Sequence, residues 1–140
     1  LQYNEVTDYL LNQYFSRIID LCGNIFPALY FYFIHSISYI KENKIFVEFP
    51  ELLDLNFVNS FKSDYYLVLT SIFIHESLTL NEISTLNNIS LEDSWIILNY
   101  LIEKKILLSN TIEKKCFYYI NPIVNRPLSS ILAKKNYLYF

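Results

Sequence analysis

Residues 78–107 read LTLNEISTLNNISLEDSWIILNYLIEKKIL. Two helix-start signals lie eleven residues apart in this stretch, Thr79 with Glu82 and Ser90 with Asp93. In each signal the first side chain can accept a hydrogen bond from a backbone N–H three residues later, which has no partner inside the helix. The spacing therefore predicts a short helix that is followed closely by a second one.

Two helices and a turn account for this stretch. We predict a short helix over residues 80–86, a tight turn at Asn87-Asn88 and a longer helix over residues 91–104. Apolar residues at spacings of three and four indicate one buried face on the longer helix. The residues predicted for that face are Trp95, Leu98, Leu101 and Ile102.

Regular elements are also predicted on both sides. Upstream, apolar residues at helical spacing predict a helix over residues 64–75. Downstream, residues 106–109 and 116–120 are rich in β-formers, and the polar turn between them predicts a hairpin. Residues 123–137 are predicted to be helical again.

Two further helices are predicted near the beginning of the chain. The first covers residues 4–22, and Gly23-Asn24 ends it because glycine adopts the left-handed backbone conformation at little cost. Pro27 is tolerated in the first turn of the second helix, which is predicted to run to Ile40. Residues 44–49 alternate between apolar and polar, which predicts a short extended segment.

The order helix, short helix, turn, longer helix and hairpin, over about residues 63–120, resembles the winged helix-turn-helix domain. A glycine often follows the third helix of that family, and Lys105 takes its place here. The resemblance implies a mostly α, α+β fold with a small β-wing. We expect a helical hairpin over residues 1–43, a linker over 44–62 that contains the short extended segment, and a winged-helix domain with a C-terminal helix over 63–140.

Residues 17–37, RIIDLCGNIFPALYFYFIHSI, resemble the helical lid of AAA+ and signal-transduction (STAND) ATPases. Four residues match the turn and the following helix of that lid: Gly23, Asn24, Ala28 and Leu29. Ile25 stands where the family has proline. In such ATPases a winged helix follows the lid. The resemblance therefore implies the C-terminal part of a P-loop ATP-binding protein, with ATP held in a domain that precedes Leu1.

The composition excludes several kinds of chemistry. The 140 residues include one glycine, whereas phosphate-binding loops need several so that backbone N–H groups can approach the anion. Cys22 and Cys116 are far apart and belong to no metal-binding pattern. No nucleophile with a base and no paired carboxylates are indicated. We therefore predict no catalytic residue, no metal site and no cofactor in this chain, which is not expected to be an enzyme.

One segment bears on the location of the protein. Twenty uncharged residues lie between Asp20 and Lys41, a length that can span a membrane. Gly23, Pro27 and several polar residues interrupt the segment, and acidic residues precede it, so we predict neither a span nor a signal peptide. Because no disulfide pattern is present, a reducing and cytoplasmic location is predicted.

Basic residues gather towards the C-terminal end. The net charge is −3, but from Lys104 onward seven basic residues accompany one acidic residue, Glu113. Such an end favours contact with a polyanion, and solvated lysines at the ends of elements are the alternative. The predicted nucleic-acid contacts are Lys104, Lys105, Lys114, Lys115, Lys134 and Lys135.

The outward face of the longer helix opposes entry into the major groove of DNA. Glu92, Asp93 and Glu103 are acidic there, and Ser94 and Asn99 are the residues suited to base edges. The lysines of the wing would instead hold phosphates without reading the base sequence. Lys134 and Lys135 would join them if the C-terminal segment folds back.

Three hypotheses for the function follow. The first is a non-catalytic accessory module that couples the nucleotide state of an upstream ATPase domain to a macromolecular partner. The second is a DNA-binding protein that contacts phosphates through its basic wing. The third is a protein-docking or oligomerisation domain whose exposed contacts are Ile96, Ile97 and Tyr100, since the winged-helix fold serves all of these functions.

Overall fold

The computed structural model describes residues 8–51 and 53–139. The chain divides into two compact units, with the division between Leu53 and Asp54. The predicted fold class is confirmed, because the chain is mostly α with a β component. A helical hairpin is followed by a winged helix-turn-helix domain with a small β-wing.

The first unit contains two helices and a β-hairpin: α1 (Asp8–Cys22), α2 (Phe26–His35), β1 (Ile37–Lys41) and β2 (Lys44–Val47). The two helices pack against each other as predicted. Their contact buries Leu21 and Cys22 together with Ala28 and Tyr32. Residues 4–7 of the first predicted helix lie outside the described residues.

The turn between α1 and α2 has the predicted chemistry. Gly23 and Asn24 have φ angles of 57° and 65°, in the left-handed region where glycine and asparagine are the least costly residues. Pro27 lies in the first turn of α2, where its missing N–H would have had no helical partner.

The prediction that α2 extends to Ile40 is wrong. The helix ends at His35, and the hydroxyl of the buried Ser36 donates a hydrogen bond to the carbonyl oxygen of Phe33 at 2.7 Å. The same hydroxyl is hydrogen-bonded to that of Tyr14 in α1. These side-chain bonds hold the chain at the point where it leaves the helix and begins β1.

The residues predicted as an isolated extended segment form one strand of a hairpin. β2 pairs with β1 in the antiparallel direction across a two-residue turn at Glu42-Asn43. The ring of Tyr39 stacks on that of Phe46 with centroids 4.3 Å apart. Residues 44–47 therefore belong to the first unit and not to the predicted linker over 44–62, and a 3₁₀ helix occupies Asn56–Ser60.

The second unit contains the winged-helix domain. Its elements are α3 (Ser63–His75), β3 (Ser77–Thr79), α4 (Leu80–Asn87), α5 (Leu91–Glu103), β4 (Leu107–Ile112), β5 (Lys115–Ile120) and α6 (Asn125–Lys134). The strands form an antiparallel sheet in the order β3-β5-β4. β3 is too short to be predicted from its own three residues, and it enters the sheet because β5 offers it a free edge.

The helix-start signals operate as predicted. The Thr79 hydroxyl oxygen accepts a hydrogen bond from the backbone N–H of Glu82 at 3.4 Å, and the Glu82 carboxylate accepts one from the Thr79 N–H at 2.8 Å. At α5, the Ser90 hydroxyl oxygen accepts a bond from the Asp93 N–H at 3.0 Å. Asn88 ends α4 in the left-handed conformation, so the predicted turn is also confirmed.

The capping of α4 gives a pH-dependent prediction. Hydrogen bonds from the backbone and side chain of Thr79 lower the pKa of Glu82. A carboxyl whose folded pKa lies below its unfolded pKa stabilises the fold above the unfolded value, and this contribution is lost as the pH falls through the folded value. We expect Glu82→Gln to destabilise at neutral pH and to differ less from the parent in acid. Urea unfolding over a pH series measures the difference, and a pH-independent difference would contradict the prediction.

The buried face of α5 differs from the prediction at more than one position, because Ser94 and Ile97 are buried there and Trp95 and Ile102 are not. Leu98 and Leu101 are fully buried, as expected, but Trp95 is 55% exposed and Ser94 is buried in its place. Ser94 precedes Leu98 by four residues and Trp95 precedes it by three, so both satisfy helical spacing with Leu98. The packing of α5 against α4 and β4 selects the smaller side chain for the interior, and Ile102 is half-buried.

Lys105 takes the place of the family's glycine and keeps its conformation. Its φ angle is 61°, and the N–H groups of Lys105 and Ile106 donate to the carbonyl oxygens of Ile102 and Leu101 at 2.9 and 3.0 Å. This pair of bonds is the Schellman motif, which usually has glycine at the left-handed position. The departure from the family pattern therefore leaves the turn intact.

The backbone strain that the positive φ angle imposes on Lys105 can be tested by substitution. We expect Lys105→Gly to raise the free energy of unfolding by about 0.5–1 kcal/mol, because relief of the left-handed strain exceeds the added entropy of the unfolded chain. Urea unfolding of the two proteins at neutral pH provides the measurement. A less stable glycine variant would show that the lysine side chain contributes more than its backbone conformation costs.

The C-terminal helix is shorter than predicted. α6 covers Asn125–Lys134 and not residues 123–137, and Pro127 is buried in its first turn. Leu128 and Leu132 are fully buried and anchor α6 in the second unit. Across the described residues, no helix combines the length and apolar character required to cross a membrane.

Candidate nucleic-acid interface

The wing is a regular hairpin with lysines at its tip. β4 and β5 pair along their whole length, and the last pair joins Ile112 to Lys115. The two turn residues, Glu113 and Lys114, have φ angles of 49° and 65°. Such a two-residue turn matches the right-handed twist of the strands. Residues 110–112 of the predicted turn therefore belong to β4.

Lys114 and Lys115 are exposed at this tip. No carboxylate of residues 8–51 or 53–139 lies within ion-pair distance of either lysine. Lys115 is near enough to Glu82 at the start of α4 to contribute, after the Thr79 hydrogen bonds, to the lowered pKa of that carboxyl. The two ammonium groups are thus available to an anion that approaches the wing.

The other predicted lysines lie elsewhere in the second unit. Lys104 and Lys105 follow α5 at the opposite end of the hairpin, where the Asn121 side chain donates to the Lys105 carbonyl oxygen at 2.8 Å. A strand of six residues separates them from the tip, which is about 20 Å. The Nζ of Lys104 lies 5.6 Å from the ring centroid of Tyr100, at the distance of a cation–π contact.

The chain that follows α6 folds back against the beginning of the second unit. The Nζ of Lys135 lies 5.9 Å from the ring centroid of Tyr66 and donates to the Asn59 carbonyl oxygen at 3.3 Å. Lys134 is exposed at the end of α6. The six predicted lysines therefore lie in three pairs along the chain, at the wing tip, after α5 and at the end of α6.

The outward face of α5 is acidic, as predicted. Glu92, Asp93 and Glu103 are exposed. Ser94, one of the two residues predicted to suit base edges, is fully buried, so that prediction is wrong and Asn99 remains exposed. An acidic helix face that enters the major groove would meet phosphates of like charge.

The three predicted protein contacts differ in exposure. Ile96 is 49% exposed, but Ile97 is only 5% exposed, so the prediction that it is an exposed contact is wrong. Its position on the same face as Leu98 and Leu101 places it in the core. Tyr100 is half-buried, with its ring centroid 5.9 Å from that of Phe61 and 5.6 Å from that of Tyr65.

Two apolar residues on the outside of α5 were not predicted. Leu91 is 51% exposed and Trp95 is 55% exposed. Helical spacing alone assigns Trp95 to the core. Ser94 is a small residue that also satisfies this spacing, and it is the signal that could have corrected the assignment. The exposed tryptophan is the single one in the sequence, so its fluorescence reports on this face of the helix.

The described residues offer no cluster of three histidine, cysteine or acidic side chains that could hold a metal ion. Cys22 is buried and Cys116 is half-buried, and both are free thiols. The Nδ1 of His35 is hydrogen-bonded to the carbonyl oxygen of Phe31 at 2.9 Å. This hydrogen bond gives His35 a structural role at the end of α2.

Comparison with solved structures shows a distant likeness in fold. No protein-family model matches the chain, and a search of curated proteins finds no match. Among solved structures, the chain is similar to BpsR of Bordetella bronchiseptica, a protein whose DNA binding is regulated by 6-hydroxynicotinic acid. The alignment has a TM-score of 0.46 and 12% sequence identity, and it covers 91% of this chain and 77% of the BpsR chain.

Proposed function

We propose that the winged-helix domain binds duplex DNA through the phosphates, with Lys114 and Lys115 of the wing as its contacts. The observation that carries this proposal is the placement of two exposed lysines, free of ion pairs with any described carboxylate, at the projecting tip of the β4–β5 hairpin. Lysine contacts to phosphate position a protein on the duplex without reading the bases.

In this proposal α5 does not enter the major groove. Its exposed acidic residues would repel the phosphates on both sides of the groove, and burial of Ser94 removes one of the polar side chains that base readout would need. We therefore expect the affinity for duplex DNA to depend little on the base sequence and strongly on the salt concentration.

Substitution of the tryptophan tests where α5 lies. We expect Trp95→Ala to change the affinity for a duplex by less than about twofold, because a side chain outside the groove contributes no contact, whereas loss of a stacked or inserted aromatic costs about 1–3 kcal/mol. Fluorescence anisotropy of a labelled duplex measures the affinity. The exposed side chain can be removed without opening the core.

The parent protein also supplies a signal for the same question. Emission from Trp95 should keep its wavelength and intensity when duplex is added in this proposal. A large shift or quenching, together with a loss of affinity in the Trp95→Ala variant, would place α5 in the groove and contradict the proposed orientation.

We further propose that the α1–α2 hairpin is the lid of an ATPase, for which the support is the Gly23-Asn24 turn and the place of the hairpin ahead of a winged-helix domain, with the β1–β2 hairpin and a 3₁₀ helix between them. The lid would move with bound nucleotide, and the winged helix would transmit that motion to its partner. The coding sequence upstream of Leu1 tests this proposal. A phosphate-binding loop followed by an acidic strand would support it, and an immediate start codon would remove it.

A further inference from the structure

The outward side of α5 carries apolar and acidic side chains next to each other. Leu91, Trp95 and Ile96 are 51%, 55% and 49% exposed, and Glu92 and Glu103 are exposed on the same helix. Residues three and four apart are neighbours on a helix surface, so Glu92 lies next to both Trp95 and Ile96. We call Leu91, Glu92, Trp95, Ile96 and Glu103 the α5 outer face.

The chain itself does not balance the acidic charge of this face. α5 contains three acidic residues, Glu92, Asp93 and Glu103, and no basic one. In the described part of the chain, no basic side chain lies within ion-pair distance of Glu92 or Glu103. Lys104, which follows the helix, lies over the ring of Tyr100. The two carboxylates are therefore available to cations of a partner.

We propose that the α5 outer face binds a basic amphipathic helix of a protein partner. The partner has to supply apolar surface for Trp95 and its neighbours and positive charge for the two carboxylates. A basic amphipathic helix has both on adjoining sides. Complementary charges across an interface select such a partner and suppress others, and tryptophan is among the residues that most often dominate the binding energy of an interface.

The same charges oppose the other occupants of this face. The phosphates of a nucleic acid would meet charges of their own sign. A second copy of this chain, placed face to face by a two-fold axis, would bring the same carboxylates towards each other, and like charges opposed across an interface are strongly unfavourable.

The apolar area of the α5 outer face fits a small partner segment. Its three apolar side chains together expose roughly 300 Å², which is in the range of functional apolar patches on monomeric proteins. That area is well short of the roughly 800 Å² that each partner contributes to a standard protein interface. One helix laid across the face therefore matches it better than a large rigid surface does.

A synthetic peptide of about 18 residues, built from leucine and lysine with the leucines at helical spacing, is the probe. We expect its binding to move the emission of Trp95 to shorter wavelength and to protect the indole from quenching by acrylamide, because the ring leaves water. One control peptide has the same residues in an order that gives no apolar face, and another has glutamate in place of lysine. Both should bind at least about tenfold more weakly.

Apolar substitutions locate the peptide on the protein, with the anisotropy of a labelled peptide as the measure of affinity. We expect Trp95→Ala to weaken binding about tenfold or more and Ile96→Ala about fivefold, because both side chains lose buried contacts. Ile74, on α3, is 62% exposed. Ile74→Ala removes the same atoms as Ile96→Ala from another helix and should leave the affinity unchanged.

A second pair of variants tests the charges. Replacing Glu92 and Glu103 together with glutamine should weaken peptide binding about fivefold, because each lysine contact loses its counter-charge. Glu48 and Glu51 are exposed carboxylates of the first unit. Their double replacement by glutamine changes the net charge by the same amount and should have no effect on the affinity.

Several outcomes would overturn the proposal: no binding of the leucine–lysine peptide, equal binding of either control peptide, or equal losses in the outer-face variants and their controls. Emission of Trp95 that changes with protein concentration before any peptide is added would put a second copy on this face and would also overturn it. Far-ultraviolet circular dichroism checks that each variant is folded. Because no assay contains DNA, failure of this proposal is distinguishable from failure of the proposed DNA binding.

Discussion

Replacing Lys114 and Lys115 together with glutamine should make duplex binding much less sensitive to salt. Each lysine that neutralises a phosphate contributes about 0.9 to the slope of log affinity against log salt concentration, so the double variant should lose about 1.8 of that slope. At moderate salt the affinity should fall roughly tenfold. Anisotropy titrations at several salt concentrations measure both quantities, and the loss should be the same on two duplexes of unrelated sequence.

The chain provides a matched control for this experiment. The β1–β2 hairpin also ends in a two-residue turn of positive φ, Glu42-Asn43, and is flanked by the exposed lysines Lys41 and Lys44. Replacing both of these with glutamine removes the same charge from a hairpin tip outside the winged-helix domain. An equal change of slope in the control would show that the effect is one of net charge, and the proposed role of the wing would fail.

Removal of a core side chain from α5 should have the largest effect on stability. Leu98 is fully buried on the face that packs towards α4 and β4. We expect Leu98→Ala to lower the free energy of unfolding by about 3 kcal/mol, since both the lost burial and the cavity destabilise the fold. That is a large part of the stability of a small domain. Urea unfolding followed by Trp95 fluorescence measures the winged-helix domain itself.

A second leucine on the same helix is the control. Leu91 is 51% exposed at the start of α5, and Leu91→Ala should change the free energy of unfolding by no more than about 0.5 kcal/mol. Similar costs at Leu91 and Leu98 would contradict the assigned face of α5. At temperatures well below the midpoint, the Leu98→Ala variant should still bind duplex DNA, because the substitution does not touch the wing.

Much of the candidate site depends on contacts that are distant in sequence. The wing lysines could be placed at a hairpin turn from the polar residues between two β-rich runs. That Lys135 lies over Tyr66 and donates to Asn59 depends on the path of the tail after α6, which no local pattern describes. The sequence alone therefore does not show which of the six predicted lysines come together.

The exposed row of α2 is a different case. The absence of charge between Phe26 and His35 was readable from the sequence, and apolar residues on every side of a helix predict that all sides are covered. The sequence shows neither which side faces α1 nor which side is left over. The packing of Ala28 and Tyr32 with Leu21 and Cys22 leaves the opposite side of α2 exposed, with Phe26, Tyr30 and Ile34 on it.

The amino-acid sequence by itself determined the features that depend on neighbours three or four residues away: the Thr79–Glu82 capping box, the Ser90 cap and the Gly23-Asn24 turn. These rest on hydrogen bonds and backbone preferences within one turn of chain. Tertiary structure decided the end of α2, where pairing of β1 with β2 outweighs helix continuation. It also decided whether Ser94 or Trp95 enters the core, because both satisfy the helical spacing and only the packing of α5 against other elements distinguishes a small side chain from a large one.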